Sequence, residues 1–173
     1  SRRVAELVAD SEKDRLALAN QKFALDQHAI VSITDTNGTI LYANDRFCEI
    51  SGYQRHELIG QNHRIIKSGI HPPEIFRDMW GTITLGHVWH GEVCNRSKAG
   101  QLYWVSATIV PLLGPDGQPE QYIAIRTDIS DRKHMEAELS EQLDLVEGLK
   151  RFHCRSISRM PKAVICDLTA LSK

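Results

Sequence analysis

The order of residue patterns predicts an α+β domain, a five-stranded antiparallel sheet with short helices on one face. Three observations carry that reading. Two short β-prone runs, Ile30–Asp35 and Thr39–Asn44, flank an Asn-Gly pair. A helical stretch follows, opened by Pro72 and Pro73 and closed by Gly86. Three longer β-prone runs complete the pattern at Val88–Ser97, Gln101–Leu113 and Glu120–Ile129.

Each element has its own signal. Residues 1–28 are charged and alanine-rich, with Val4, Leu7, Val8 and Ser11 on one helical face and Leu18 extending it. They predict a flanking helix that breaks near Asn20. Thr36-Asn37-Gly38 predicts a tight hairpin in which both central turn residues take positive φ. Asn44 or Asp45 can cap a short helix with Phe47 and Ile50 inward and Gly52 at its end. Arg55–Ile59 reads as a further helical turn closed by Gly60. In the helix after Pro72 and Pro73, Ile75, Phe76, Met79, Trp80 and Ile83 recur at a spacing of three to four. Lys98-Ala99-Gly100 and the Gly114–Pro119 stretch separate the last three strands. Residues 131–152 return to helix, with Met135, Leu139, Val146 and Leu149 tracing a seam that Gln142 interrupts. Leu143 and Leu145 leave its register ambiguous, and about two heptads are too few to assert a coiled coil. Beyond Arg151 the pattern blurs, and Pro161 breaks any helix.

Bulk composition narrows the function classes. The chain has 173 residues, 42% hydrophobic and 25% charged, which fits one domain with extensions. A net charge of −1 gives no reason to expect nucleic acid or an anionic membrane as partner. No apolar run approaches the ~20 residues of a membrane span, and no signal-peptide pattern is visible. The expected location is the cytoplasm. Because the chain starts at Ser1, it is expected to be a piece of a longer protein. Cys48, Cys94, Cys154 and Cys166 form no C-x-x-C pair and no zinc spacing with histidine, so reduced thiols are expected. No nucleophile-base pair, P-loop or metal cluster points to an enzyme.

Residues 24–132 resemble PAS sensor domains along essentially their whole length. The phrases that carry the likeness are Y-A-N-D-R-F, S-G-Y, G-Q-N-H-R, F-R-D-M-W, V-W-H-G-E-V-C-N-R-S-K-A-G, Y-W-V and I-R-T-D-I-S-D-R-K. The resemblance is strongest to FAD-binding, redox-sensing PAS domains of the kind found in the bacterial aerotaxis transducer and the nitrogen-fixation regulator NifL. Gly60–Lys67 is also similar to the G-R-N-C-R-F-L-Q signature of LOV photoreceptors, but His63 stands where those domains carry their reactive cysteine. The likeness therefore implies a flavin site unable to form the cysteinyl photoadduct, and redox or oxygen sensing rather than light. It divides the chain into a flanking helix (1–28), the PAS domain (29–130), an output helix (131–152) and a linker or truncated effector start (153–173).

The resemblance also implies a set of site residues. Asn95 would hydrogen-bond the flavin ring edge, since an amide offers both donor and acceptor. Alternation puts Trp89, Gly91, Val93 and Asn95 on one face of their strand. Gly91 would leave room for a flat ring, and Trp89 would stack on it or wall it. His90, Glu92 and Cys94 face away. Asn62 and Arg64 match positions that contact the ribityl and phosphate portion, Lys67 would help with the pyrophosphate, and Thr34 completes the set. His63 would approach the ring, with a pKa near neutrality unless perturbed. The sequence departs from the LOV pattern at Val105, which replaces a second asparagine, and at Arg126, which replaces a glutamine. Arg126 near the ring would favour an anionic reduced flavin; alternatively it pairs with a carboxylate. Trp80 and Trp104 read as packing residues.

Other readings stay open. Haem is a weaker alternative, with His63, His71 or His87 as ligand, because the helix after Pro72 contains no histidine; FMN is a weaker alternative to FAD in the flavin reading. A ligand-free relay module is another. With Arg126 facing in, Ile123, Ile125, Trp104 and Val110 form an apolar outer patch, to be covered by Leu16, Leu18 or Phe23 or by a second subunit. The family implies a homodimer through that face and the flanking helices. Asp128-Ile129-Ser130 with Arg132 resembles the hinge in which an aspartate pairs with an arginine four residues on; an ordinary helix N-cap is the plain alternative. Ser156–Pro161 distantly resembles a histidine-kinase phosphoacceptor box without its histidine. Asp167–Leu171 distantly resembles the start of a diguanylate cyclase. A downstream effector domain of either kind would lie outside this chain.

Overall fold

The computed structural model describes residues 12–13, 15–17, 19–20 and 26–158. The chain divides into two compact units, with the boundary between Ser130 and Asp131. In the first, five strands form one antiparallel sheet: β1 (Ile30–Asp35), β2 (Ile40–Ala43), β3 (Trp89–Arg96), β4 (Leu102–Leu113) and β5 (Pro119–Asp128), in the order β2-β1-β5-β4-β3. Between β2 and β3 come α1 (Asp45–Ser51), α2 (Arg55–Leu58), a 3₁₀ turn (His63–Ile66) and α3 (Pro73–Ile83). The expected five-stranded α+β architecture is present.

Local chemistry sets the element ends. Asn44 caps α1 by accepting from the Phe47 amide, and Gly52 ends it with φ of 70°. Asn44 does more than cap. Its Oδ1 also accepts from Val31 N–H and its Nδ2 donates to the Ala29 carbonyl, so one buried amide ties α1 to β1. α2 carries a capping box between Gln54 and Glu57.

The first hairpin differs from its expected form. Gly38 has φ of 81°, but no residue other than glycine has positive φ among the described residues. Asp35 N–H donates to Thr39 O and Gly38 N–H to Asp35 O, giving a three-residue loop rather than a two-residue one. Asp35 explains the choice: its carboxylate accepts from the Asn37 and Thr39 amides and stabilises the wider loop. The loops ending at Gly100 and Gly117 repeat this bonding between Ser97 and Gln101 and between Gly114 and Gln118.

The core has two parts. Phe47, Leu58, Ile66, Tyr103 and Val105 pack solidly with Ile30, Ile40 and Ala43 between α1, α2 and the sheet. Ile83 of α3 packs in a second cluster with Trp89, Ala107, Ile109, Tyr122 and Ala124 of the sheet. On the outer sheet face Ile123, Ile125, Trp104 and Val110 are half-buried. Leu16 is not their cover, being 63% exposed; Leu18 and Phe23 lie outside the described residues, as do Val4, Leu7, Val8, Ser11 and the tail from 159.

A helix, α4, runs Ser130–Ser158, all but its first residue in the second unit, and is longer than the 131–152 span expected. No proline or helix-ending motif intervenes before Ser158, so the blurred apolar pattern does not stop it. Met135, Leu139 and Val146 are exposed along α4, and so are Leu143 and Leu145. Among the described residues no helix is long and apolar enough to cross a membrane.

Candidate functional site

A cavity of about 320 Å³ opens between α3, the 3₁₀ turn and the inner face of the sheet. That is within the ~300–1,000 Å³ span of small-molecule pockets. All eight residues expected at a cofactor site line it: Thr34, Asn62, His63, Arg64, Lys67, Trp89, Asn95 and Arg126. They come from β1, the 3₁₀ turn and its flanks, β3 and β5, which only the tertiary fold brings together.

Small side chains open the space. Ala107 and Ala124 occupy the strand positions beneath α3, where Tyr103 and Val105 fill the other half. Gly91 contributes in an unexpected way. A Cβ there would sit 2.3 Å from the Trp89 indole. Its missing side chain makes room for Trp89 itself, not directly for a ligand. The six-membered ring of the indole occupies the space beside Gly91, and Nε1 donates to Asp78 Oδ2 at 2.9 Å, forming a fixed wall.

On the cavity wall Arg126 is buried, at 6% exposure. Its guanidinium donates to Ser32 Oγ at 3.0 Å and to His63 Nε2 at 2.7 Å, and its carbon lies 5.5 Å from the Phe47 ring centre. Among the described residues it makes no ion pair, so the carboxylate alternative is not what the fold adopts. Burial pushes the guanidinium down to about 10, still cationic at neutral pH. His63 is a perturbed histidine. Burial first, and the Arg126 charge second, hold its imidazole well below the ordinary value. It is neutral, stacks on Phe47 at 5.6 Å, and accepts from Arg126, which places its hydrogen on Nδ1. Tyr103 Oη is buried with no hydrogen-bond partner among the described residues, and burial raises the pKa of its phenol.

On β3, Asn95 also lines the cavity; it is 6% exposed, and its amide makes no hydrogen bond among the described residues. Asn62 differs. Its Oδ1 accepts from Arg64 N–H and Nε, and its Nδ2 donates to Asn37 O, so it fastens the 3₁₀ turn to the first hairpin. Arg64 and Lys67 stand at the mouth without ion pairs among the described residues; Lys67 Nζ lies 5.0 Å from the Phe76 ring centre.

Sequence reasoning missed Phe76, Met79, Tyr122 and Trp80 as cavity wall. Trp80, read as a packing residue, meets Tyr122 edge-on at 5.9 Å while facing the cavity. Strand alternation back from Arg126 would have found Tyr122. Cys94 faces away from the cavity as expected, yet is buried. At the sheet's end Asp128 accepts from Ser130 N–H and Oγ, the N-cap arrangement, and Ser130 Oγ accepts from Trp104 N–H. Arg132 donates to Glu136 within α4.

Comparison with known proteins places this architecture. A family model described as PAS domain matches residues 27–131. The nitrogen fixation regulatory protein of Klebsiella oxytoca is 35% identical over 135 residues, 78% of this chain and 26% of that protein. The aerotaxis receptor of Escherichia coli K12 is 38% identical over 129 residues, 74% of this chain and 25% of that protein. The chain thus spans about a quarter of the length of these relatives. Among solved structures, an RNA-binding light-oxygen-voltage receptor superposes with a TM-score of 0.64 at 20% identity, covering 75% of this chain and 37% of that one. A light-oxygen-voltage domain studied with a flavin analogue gives 0.59 at 22% identity, covering 75% and 95%. At such identities these structures speak for the fold alone.

Proposed function

Because the chain belongs to the PAS family of sensory domains, we propose that its cavity binds FAD and that the domain is the redox- or oxygen-sensing input of a larger signalling protein. The observation that carries this reading is the presence of two buried polar groups of different kind on the wall of one apolar slot. Asn95 brings an unengaged, buried amide, and Arg126 a buried cation with no anion beside it. A planar heterocycle with mixed donors and acceptors on one edge and electron-accepting atoms on the other suits both.

FAD would supply reversible electron transfer with a change of charge on its ring. The rest falls to the chain. Asn95 would fix the ring's pyrimidine edge, Trp89 and Thr34 would bound it, and Arg64 and Lys67 would take phosphate at the mouth. Arg126 would present a permanent donor, held in place by neutral His63. Added negative charge in the slot would draw Arg126 from Ser32 and His63. β5, which carries Arg126, ends at the Asp128–Ser130 cap, so its movement would be passed toward α4, with Asp128 and Arg132 as the proposed relay and an effector beyond. A homodimer through α4 and the outer sheet face, and a cytoplasmic setting, belong to the same proposal.

Haem is disfavoured by geometry. His63 Nε2 and His71 Nε2 both already accept hydrogen bonds, and His87 is an exposed residue outside the cavity wall.

An absorption spectrum of the purified chain, with chromatography of any released ligand, tests the proposal. A flavin spectrum that bleaches with dithionite and returns in air, without a photoadduct, is expected. Asn95→Ala should lower FAD retention about tenfold, the scale of a lost buried hydrogen bond. A colourless protein that takes up no added FAD would overturn the reading and leave a dimerising relay.

A further inference from the structure

We propose that His71 is a proton-sensitive latch: its neutral imidazole pins the Lys67–His71 segment to the free edge of β3, and protonation releases that segment. The proposal does not depend on what the cavity binds.

β3 is an edge strand, and an edge leaves backbone groups unpaired. The segment leading from the 3₁₀ turn to α3 covers this one with four contacts. Lys67 and Asn95 form a backbone bridge. Ser68 Oγ donates to Cys94 O at 2.7 Å. The Arg96 guanidinium donates to Ser68 O at 2.9 Å. Cys94 N–H donates to His71 Nε2 at 2.6 Å. The first three are indifferent to pH near neutrality. The fourth is not, because imidazolium carries hydrogen on both nitrogens and has no lone pair to offer. A proton on Nε2 would turn it from acceptor to donor, facing the Cys94 donor.

The ring also joins two surfaces. It meets Phe76, part of the cavity wall, edge-on at 6.2 Å, and Trp104, on the outer sheet face, edge-on at 5.4 Å. Release of His71 therefore loosens a cavity wall and an outer-face residue together.

Burial, not the surrounding charges, opposes protonation. β3 brings Cys94, Arg96 and the exposed Glu92; β4 brings uncharged Trp104. α3 brings Phe76, with Glu74 and Arg77 facing each other at 3.9 Å. The segment itself brings Lys67, lying on the Phe76 ring. Burial holds His71 below its ordinary value. The latch is thus shut at neutral pH, and opening begins only as pH falls below the usual histidine range of about 6.5.

Amide hydrogen exchange of Cys94 in the full chain, corrected for the intrinsic rate, reads the latch directly. Between about pH 7.5 and about pH 5.5, on either side of the ordinary histidine value, its protection should fall about tenfold, as expected for a lost buried bond. Ala107 and Ala124, in the central strands, should keep theirs. His71→Gln, which accepts but does not titrate, should hold Cys94 protected at both pH values. His71→Leu should leave it poorly protected at both. Unchanged Cys94 protection in the native chain, an equally steep loss in His71→Gln, or an equal loss at Ala107 and Ala124 would each overturn the proposal.

Discussion

The two halves of the domain interior are built from the same sheet face and do opposite things. Under α1 and α2, Phe47, Leu58, Ile66, Tyr103 and Val105 fill the space. Under α3, the equivalent strand positions carry Ala107 and Ala124, and Gly91 has no side chain at all. One half is packed core and the other holds the cavity. The boundary between them is the Arg126–His63–Ser32 group, whose donors and acceptors are mutually engaged. A sheet that alternates inward and outward residues can thus be given a binding site simply by shrinking side chains on part of one face. The filled half provides the rigidity that keeps the emptied half open.

Substitution should separate the halves. The largest effect is expected from Leu58→Ala, which removes a fully buried side chain and should cost about 2–5 kcal/mol in urea or guanidinium unfolding. Ala124→Leu puts volume into the cavity instead. It should leave the unfolding midpoint near the native one while abolishing flavin uptake; loss of stability equal to that of Leu58→Ala would erase the distinction.

Gly91→Ala should cost about 1–3 kcal/mol, because the new methyl displaces the Trp89 indole from its place against the strand and from Asp78. Its near-ultraviolet circular dichroism should change with the stability, whereas an unchanged Trp89 environment would contradict the packing described.

The smallest effect sharpens the boundary. His63 and His71 are both lowered in the folded chain. The unfolded chain therefore binds more protons below the ordinary histidine value, and stability is lost as pH falls from about 6.5. Each such group can contribute a slope of at most about 1.4 kcal/mol per pH unit. Denaturation midpoints measured across that range should fall in acid, and His63→Gln should flatten part of the decline.

Much of this could be read from the residue order, for identifiable reasons. Strand alternation is local, so Trp89, Val93 and Asn95 were assignable to one face and Cys94 to the other. Asn44 and Gly52 as ends of α1 follow from capping chemistry that needs only neighbours in sequence. The hairpin type was less legible, because Asp35 bonding to the Asn37 and Thr39 amides outweighed the Asn-Gly preference. The low pKa of His63 was not legible, because burial first and then Arg126, 63 residues away in the chain, produce it. Gly91 was assigned to a ligand because no pattern announces that a tryptophan two residues back folds over it.

The sequence by itself determined the strand and helix order, the inward set of residues and the family, since these rest on short-range periodicity and on motifs that survive at low identity. Only the tertiary structure decided which polar groups are already spent and which are not. Asn62 and His63 are engaged, Asn95 is free to act, and His71 closes a strand edge. Hydrogen-bond satisfaction depends on what lies across the fold, and burial makes it decisive.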